Sequence, residues 1–186
     1  MTKTARPDVV RNRERILKAA SVCFNANGAE CHMATVAAEA GVGTATMFRH
    51  FPTKKDLIEA VLLRCLQESE ATVVVAERDS DSLSALQTLL EHFVQSLARD
   101  RGLKRIAEDF LQQPDIRARQ QAIFEATATI LSRCQAVGTV RADVQLNDLL
   151  VLTEGIAYAA AADGWQRALA LSLRGFLTEP HQSTVG

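Results

Sequence analysis

The sequence predicts an all-α protein, an N-terminal three-helix helix-turn-helix domain followed by a C-terminal helical body. Three observations carry that expectation. Apolar residues recur at three- and four-residue spacing along most of the chain, the signature of helices with one buried face. Of 186 residues 47% are hydrophobic but only 5% aromatic, a mix suited to packed helices rather than to a sandwich or barrel. Gly and Pro fall mainly where one periodic segment stops and the next begins.

The elements follow in order. Ile16, Leu17, Ala20 and Phe24 form a first stripe, ended by Gly28. Val36, Ala37 and Ala40 mark a short helix ended by Gly41. Met47, Phe48 and Phe51 mark a third, closed by Pro52. Thr53-Lys54-Lys55-Asp56 reads as a variant capping box opening a helix that carries Leu57, Ile58, Val61, Leu62, Cys65 and Leu66. The β-like run Thr72–Val75 has helical pattern on both sides and no partner strand, so it reads as helix. Leu86, Leu90, Phe93 and Leu97 form a stripe before Gly102, and Leu103, Ile106, Ala107 and Phe110 follow it. Pro114 breaks that pattern. Ile123, Thr127, Ile130, Leu131 and Cys134 lie on a long helix that Gly138 caps. The last two helices run from about Asn147 to Ala162 and from about Gly164 to Thr178, with a frayed tail from Pro180.

Charge is divided unevenly. Residues 1–60 hold nine Lys/Arg against six Asp/Glu, a net of +3, which leaves −4 on the remainder and −1 in total. The first eighteen residues alone carry Lys3, Arg6, Arg11, Arg13, Arg15 and Lys18. A basic head on an acidic body points to a polyanion partner for the head. The four cysteines, Cys23, Cys31, Cys65 and Cys134, show neither CxxC spacing nor histidines at finger spacing, so no metal site is expected. Cys65 and Cys134 fall on apolar stripes and read as buried, inert thiols. The expected compartment is a reducing cytoplasm, with no disulfide framework. Neither a signal peptide nor a membrane-spanning run is expected.

The functional reading centres on Glu39-Ala40-Gly41-Val42. Gly supplies the positive φ that a tight turn between two helices needs, while Ala37 and Ala40 allow close approach and Val42 can plug the turn. The next helix, about Thr44–Phe51, opens with Thr44, Ala45 and Thr46. Their hydroxyls and methyls suit base edges in a major groove. Arg49, His50, Lys54 and Lys55 follow where phosphates flank the groove.

Residues 11–62 resemble the DNA-binding domain of the tetracycline-repressor (TetR) family. The resemblance rests on Arg15-Ile16-Leu17, Ala20, Phe24, Gly28, Val36-Ala37-Ala38-Glu39-Ala40-Gly41-Val42-Gly43, Thr46-Met47-Phe48-Arg49-His50-Phe51, Lys54 and Leu57. It implies a basic arm at 1–10, a DNA-binding domain at 11–60, a ligand-binding and dimerisation domain at 61–179 and a flexible tail at 180–186. It assigns DNA contacts to Thr35, Gly43, Thr44, Ala45, Thr46, Phe48, Arg49, His50 and Lys54, with Lys3 and Arg6 reaching toward a minor groove. The chain departs from the family pattern at Phe48 for the usual Tyr, Gly43 for a Ser/Thr cap, Thr44-Ala45 for Lys-Gly, and His32 for a capping Ser or Thr.

In the body, His92, Phe93, Phe110, Phe124, Glu154 and Tyr158 are the candidate effector contacts. Leu149, Leu152, Ile156, Trp165, Leu169, Ser172, Leu173 and Phe176 are the candidate dimer contacts, because the last helix reads as apolar almost all round and must be covered. No nucleophile elbow, phosphate loop, dinucleotide fingerprint or acid–base pair is present, so no enzyme and no cofactor are expected. The expectation is a homodimeric repressor that binds a pseudo-palindromic double-stranded operator and is released by a small molecule. The alternative is a helical ligand-binding or interaction protein with weakened DNA binding, which the departures at Gly43, Thr44 and Phe48 motivate.

Overall fold

Ten α-helices and one 3-10 turn make up the described residues, 7–159 and 164–178 of this computed structural model, with no strand among them. The helices are α1 (Pro7–Asn27), α2 (Met33–Glu39), α3 (Thr44–His50), α4 (Lys54–Arg78), α5 (Ser82–Arg99), α6 (Arg101–Ile106), α7 (Glu108–Leu111), α8 (Pro114–Ala136), α9 (Leu146–Ala159) and α10 (Trp165–Arg174). The segment Thr72–Val75 is helical, inside α4. The arm residues Lys3 and Arg6, the tail from Pro180 and the expected end of α9 at 160–162 lie outside the described residues.

The chain divides into two compact units. The first comprises the residues up to Cys65 together with Asp100–Ile116, a segment that the sequence reading places in the C-terminal body. Its core is Ile16, Leu17, Phe24, Met47, Leu57 and Leu103, all buried. Burying each such side chain stabilises by about 1.5–3 kcal/mol before entropy is counted. α6 packs on α1 through Gly102, where a Cβ would stand 2.0 Å from the Phe24 carbonyl oxygen. Gly102 therefore does not end a helix, as the sequence suggests. It lies inside α6 because only a residue without a side chain fits against the α1 backbone. The Gly102 N–H donates to Asn25 Oδ1 at 3.2 Å, and buried Ser21 donates to Asp100 at 3.1 Å.

A second correction concerns the cysteines. Cys23 and Cys31 form a disulfide, with Cα atoms 5.7 Å apart. Spacing rules did not find it because eight residues separate the pair along the sequence. The 3-10 turn Gly28–Glu30 reverses the chain after α1 and brings Cys31 back beside the helix. Cys65 and Cys134 are not disulfide-bonded. Cys134 is fully buried and donates to the Ser82 carbonyl at 3.0 Å, and burial pushes its thiol pKa up.

The second unit comprises Leu66–Arg99 and the described residues from Arg117 onward. α5 packs against α9 and α10, with Leu86, Leu89, Leu90 and Val94 buried along one face. Arg119 on α8 grips Glu70 on α4 through two hydrogen bonds of 2.6 Å, which hold the Glu70 carboxyl below its ordinary range. α10 ends at Arg174, four residues before the expected boundary, because the chain then turns to bridge Val140 with Leu177. Nor is α10 apolar all round: Gln166, Arg167 and Arg174 are exposed while Leu169 and Leu173 are buried.

Candidate nucleic-acid interface

α2 stops in a tightly bonded turn. Gly41 has φ +60°, its N–H donates to Ala38 O at 3.0 Å, and the Val42 N–H donates to Ala37 O at 3.0 Å. These two bonds satisfy the last carbonyls of α2 and require the left-handed conformation that Gly adopts without penalty. Arg15 of α1 adds a third tie, its Nη2 donating to the Gly41 carbonyl at 3.2 Å. Arg15 belongs to the family-like run, but no sequence signal showed that its guanidinium would reach across 26 residues to brace the turn.

The turn presents α3 with one face inward. Met47 is fully buried, while Thr44, Ala45, Phe48 and Arg49 are exposed. Positions 44, 45, 48 and 49 share one side of a helix, opposite Met47. Thr46 is half-buried, and Thr35 is exposed on α2. Gly43 is the N-cap, with extended backbone and no side-chain cap, so the first N–H groups of α3 have no side-chain acceptor there. Phe48 remains 45% exposed, a large apolar ring without a covering partner in its own unit.

Two of the expected phosphate contacts are partly enclosed by their own unit. Lys54 is half-buried and donates through its ammonium to the Ala29 carbonyl. His50 is half-buried with Nε2 enclosed and unpaired. Burial first, then the charges of Arg49 and Arg13, lower its pKa, so the ring is neutral near pH 7 and does not supply a cation. Arg13 lies over the Phe51 ring at 5.3 Å, an additional cation beside the end of α3. The α4 N-terminus is closed by the expected capping box: the Thr53 N–H donates to Asp56 Oδ2 at 2.9 Å and the Asp56 N–H to Thr53 Oγ1 at 3.1 Å.

The candidate effector residues are not all brought together. His92, Phe93 and Phe124 belong to the second unit, where His92 Nε2 lies 3.0 Å from Ser69 Oγ. Phe110 belongs to the first unit, beneath Lys55 at 5.6 Å. Glu154 and Tyr158 stand on the exposed side of α9, Tyr158 at 81% exposure, so this protomer does not enclose them. Of the candidate dimer contacts, Leu149, Ile156, Leu169 and Leu173 are already buried within the protomer, and Leu152, Trp165, Ser172 and Phe176 are half-buried. The outward apolar surface is instead Val151, Tyr158 and Leu171, beside a groove of about 510 Å³ that Gly155, Ala159 and Trp165 help to line. The sequence does not single out Val151 and Leu171, and it reads Tyr158 as an effector contact, because periodicity finds apolar stripes but does not say which stripe faces the protomer's own core.

A helix-turn-helix with an exposed second helix, on an all-helical chain, defines a DNA-binding regulator. The model of bacterial regulatory proteins of the tetR family matches residues 16–61, and the model of the SbtR-like transcriptional regulator C-terminal domain matches 81–177. The chain belongs to the TetR family of transcriptional regulators. It is 28% identical over 160 residues to the nucleoid occlusion factor SlmA of Shewanella sediminis, covering 78% of this chain and 81% of that one. It is 29% identical over 128 residues to SlmA of Aliivibrio fischeri strain MJ11, and spans 65% of that protein's length. Among solved structures it resembles a TetR regulatory protein from Mycobacterium vanbaalenii, with TM-score 0.69, 28% identity and coverage of 92% and 98% of the two chains. It also resembles the TetR regulator SCO0520 from Streptomyces coelicolor, with TM-score 0.70, 25% identity and coverage of 90% and 99%. Among the described residues no helix is long and apolar enough to cross a membrane.

Proposed function

We propose that the chain is a cytoplasmic, ligand-responsive repressor that binds a pseudo-palindromic operator as a homodimer and leaves it when a small molecule binds. Residues 11–60 bind DNA, and 61–179 supply dimerisation and the effector site. The carrying observation is the outward face of α3, Thr44, Ala45, Phe48 and Arg49, held by the bonded Gly41 turn. Thr44 and Ala45 read base edges, and Arg49 takes phosphate. Lys54 ties the start of α4 to the turn before α2, and His50 is partly enclosed at the end of α3.

Dimerisation is supported by the exposed Val151, Tyr158 and Leu171 on the last two helices, an apolar surface that a second copy covers. Two heads on such a dimer read half-sites about 34–36 Å apart or a multiple of that. The effector site draws on His92 and Phe93 of α5 and Phe124 of α8, and the His92–Ser69 pair supplies polar groups to orient a ligand.

Fluorescence anisotropy with the duplex flanking the protein's own gene tests the reading. Specific binding should exceed binding to a scrambled duplex by about a thousandfold at physiological salt. Equal affinity for both duplexes returns the chain to the alternative, a helical ligand-binding protein without operator recognition.

A further inference from the structure

We propose that Cys23 and Cys31 form a reversible redox site that sets the DNA affinity of the head, tight when they are bonded and weak when they are reduced. The inference rests on the operator-binding reading above and adds a second input, independent of the effector site in the body.

The placement of the bond carries the argument. Cys23 lies in the last two turns of α1, on the buried side with Ala20 and Phe24. Cys31 lies two residues before α2 begins at Met33. The bond therefore staples the entry of α2, the first helix of the helix-turn-helix, to α1. The short stretch between them is also where Lys54, the first residue of α4, donates to the Ala29 carbonyl. Three helices of the head thus meet at residues 28–31. α2 has only seven residues, two of them buried apolar side chains, Val36 and Ala37. With the bond broken, the entry of α2 keeps those contacts, the packing of residues 28–30 on α1 and α6 and the Lys54 tie, but loses its disulfide staple to α1, and α3 follows α2 through a four-residue turn that Arg15 braces. The oxidised form has the α2–α3 turn fully bonded and the α3 face exposed, so it is the form competent for DNA.

The chemistry is balanced by a dithiol. One thiolate of the dithiol attacks a sulfur of the pair, breaking the S–S bond and forming a mixed disulfide. Its second thiolate then expels the remaining cysteine thiolate and closes its own disulfide. Two electrons and two protons pass to Cys23 and Cys31. A low-molecular-weight disulfide reverses the step. Both cysteines are buried, at 5% and 2% exposure, but the cover is thin. Ala29 and Glu30 are exposed, and the same stretch borders an open cleft of about 390 Å³ shared with Arg105, so a local opening of a few residues admits the reagent. A protein that binds chromosomal DNA works where thiols are kept reduced, and a disulfide in such a compartment is usually transient and redox-sensing. Neither remaining cysteine offers such a pair: Cys134 is buried with its thiol pKa pushed up, and Cys65 is bonded to Asp100.

The test uses the full-length protein, oxidised with glutathione disulfide or reduced with dithiothreitol. Free thiols are trapped with iodoacetamide, and the Cys23–Cys31 peptide is identified by mass spectrometry. Affinity is then measured by anisotropy on a duplex selected by the oxidised protein from random-sequence DNA. The oxidised sample should yield the crosslinked peptide, and reduction should lower affinity about tenfold, as expected if about one head in ten remains competent. The double variant C23A/C31A should bind like the reduced wild type under both conditions. Should that variant not fold, the wild-type comparison alone decides. Free Cys23 and Cys31 after oxidation, equal affinity of the two forms, or tighter binding by the reduced form overturns the proposal. Binding of neither form to any duplex instead removes the operator reading and the switch together.

Discussion

Phe48 occupies a position where the ring is half in water and half on the α3 surface, 45% exposed. Adding a hydroxyl there meets solvent, so Phe48→Tyr should leave the melting temperature unchanged within error. Operator binding should tighten by about 0.5–1.5 kcal/mol per half-site as the new O–H reaches phosphate. Weaker or unchanged binding in anisotropy would place the ring away from the backbone. His50 behaves in the opposite way. Its Nε2 is enclosed, and burial, then Arg49 and Arg13, hold its pKa below 6.5 in the folded chain. The unfolded chain therefore takes up the proton first as pH falls. The stability owed to the neutral ring is complete above about pH 6.5 and is lost as pH drops from there through the lowered folded value. Thermal melts between pH 7.5 and 5 should show wild type losing more stability than His50→Gln, and parallel curves would contradict this.

At the level of helices, two devices hold the head together and can be broken singly. The Thr53–Asp56 capping box closes the α4 N-terminus with reciprocal bonds. Asp56→Ala removes the carboxylate from both the Thr53 N–H and the dipole end of the helix, and should destabilise by about 1 kcal/mol in denaturant titration. Asp56→Asn should recover part of that loss. Gly102 is more severe. Its Cβ would lie 2.0 Å from the Phe24 oxygen and 2.7 Å from Asn25 Cα, both backbone atoms that cannot step aside. Gly102→Ala should force α6 from α1 and cost about 2 kcal/mol or more, read as a lowered melting temperature. An unchanged melt would mean that α6 is not seated on α1 in solution.

In the dimer proposed above, the exposed apolar residues of α9 and α10 decide whether one head acts or two. Val151 is 62% and Leu171 53% exposed, so charging them leaves each protomer's core intact. The double variant Val151→Glu, Leu171→Glu should keep its helical circular dichroism, sediment as a monomer, and bind the full operator at least about tenfold more weakly, because the second half-site no longer adds its effective concentration. A variant that remains dimeric would move the interface elsewhere.

Much of this protein is readable from periodicity and punctuation. The helices, the Gly41 turn, the capping box and the family-like run at 15–57 depend on residues close in sequence, and local chemistry dictates them. Chain reversals and choices of face depend on what the helices meet, and no local rule contains that. Cys31 returns to Cys23 only because of the turn at 28–30; Gly102 enters a helix only because α1 lies against it. Arg15 reaches Gly41, Lys54 bends to Ala29, and Tyr158 points outward, for the same reason: each is settled by packing between segments distant in the chain, where the lowest free energy belongs to the whole arrangement and not to any one stretch of it.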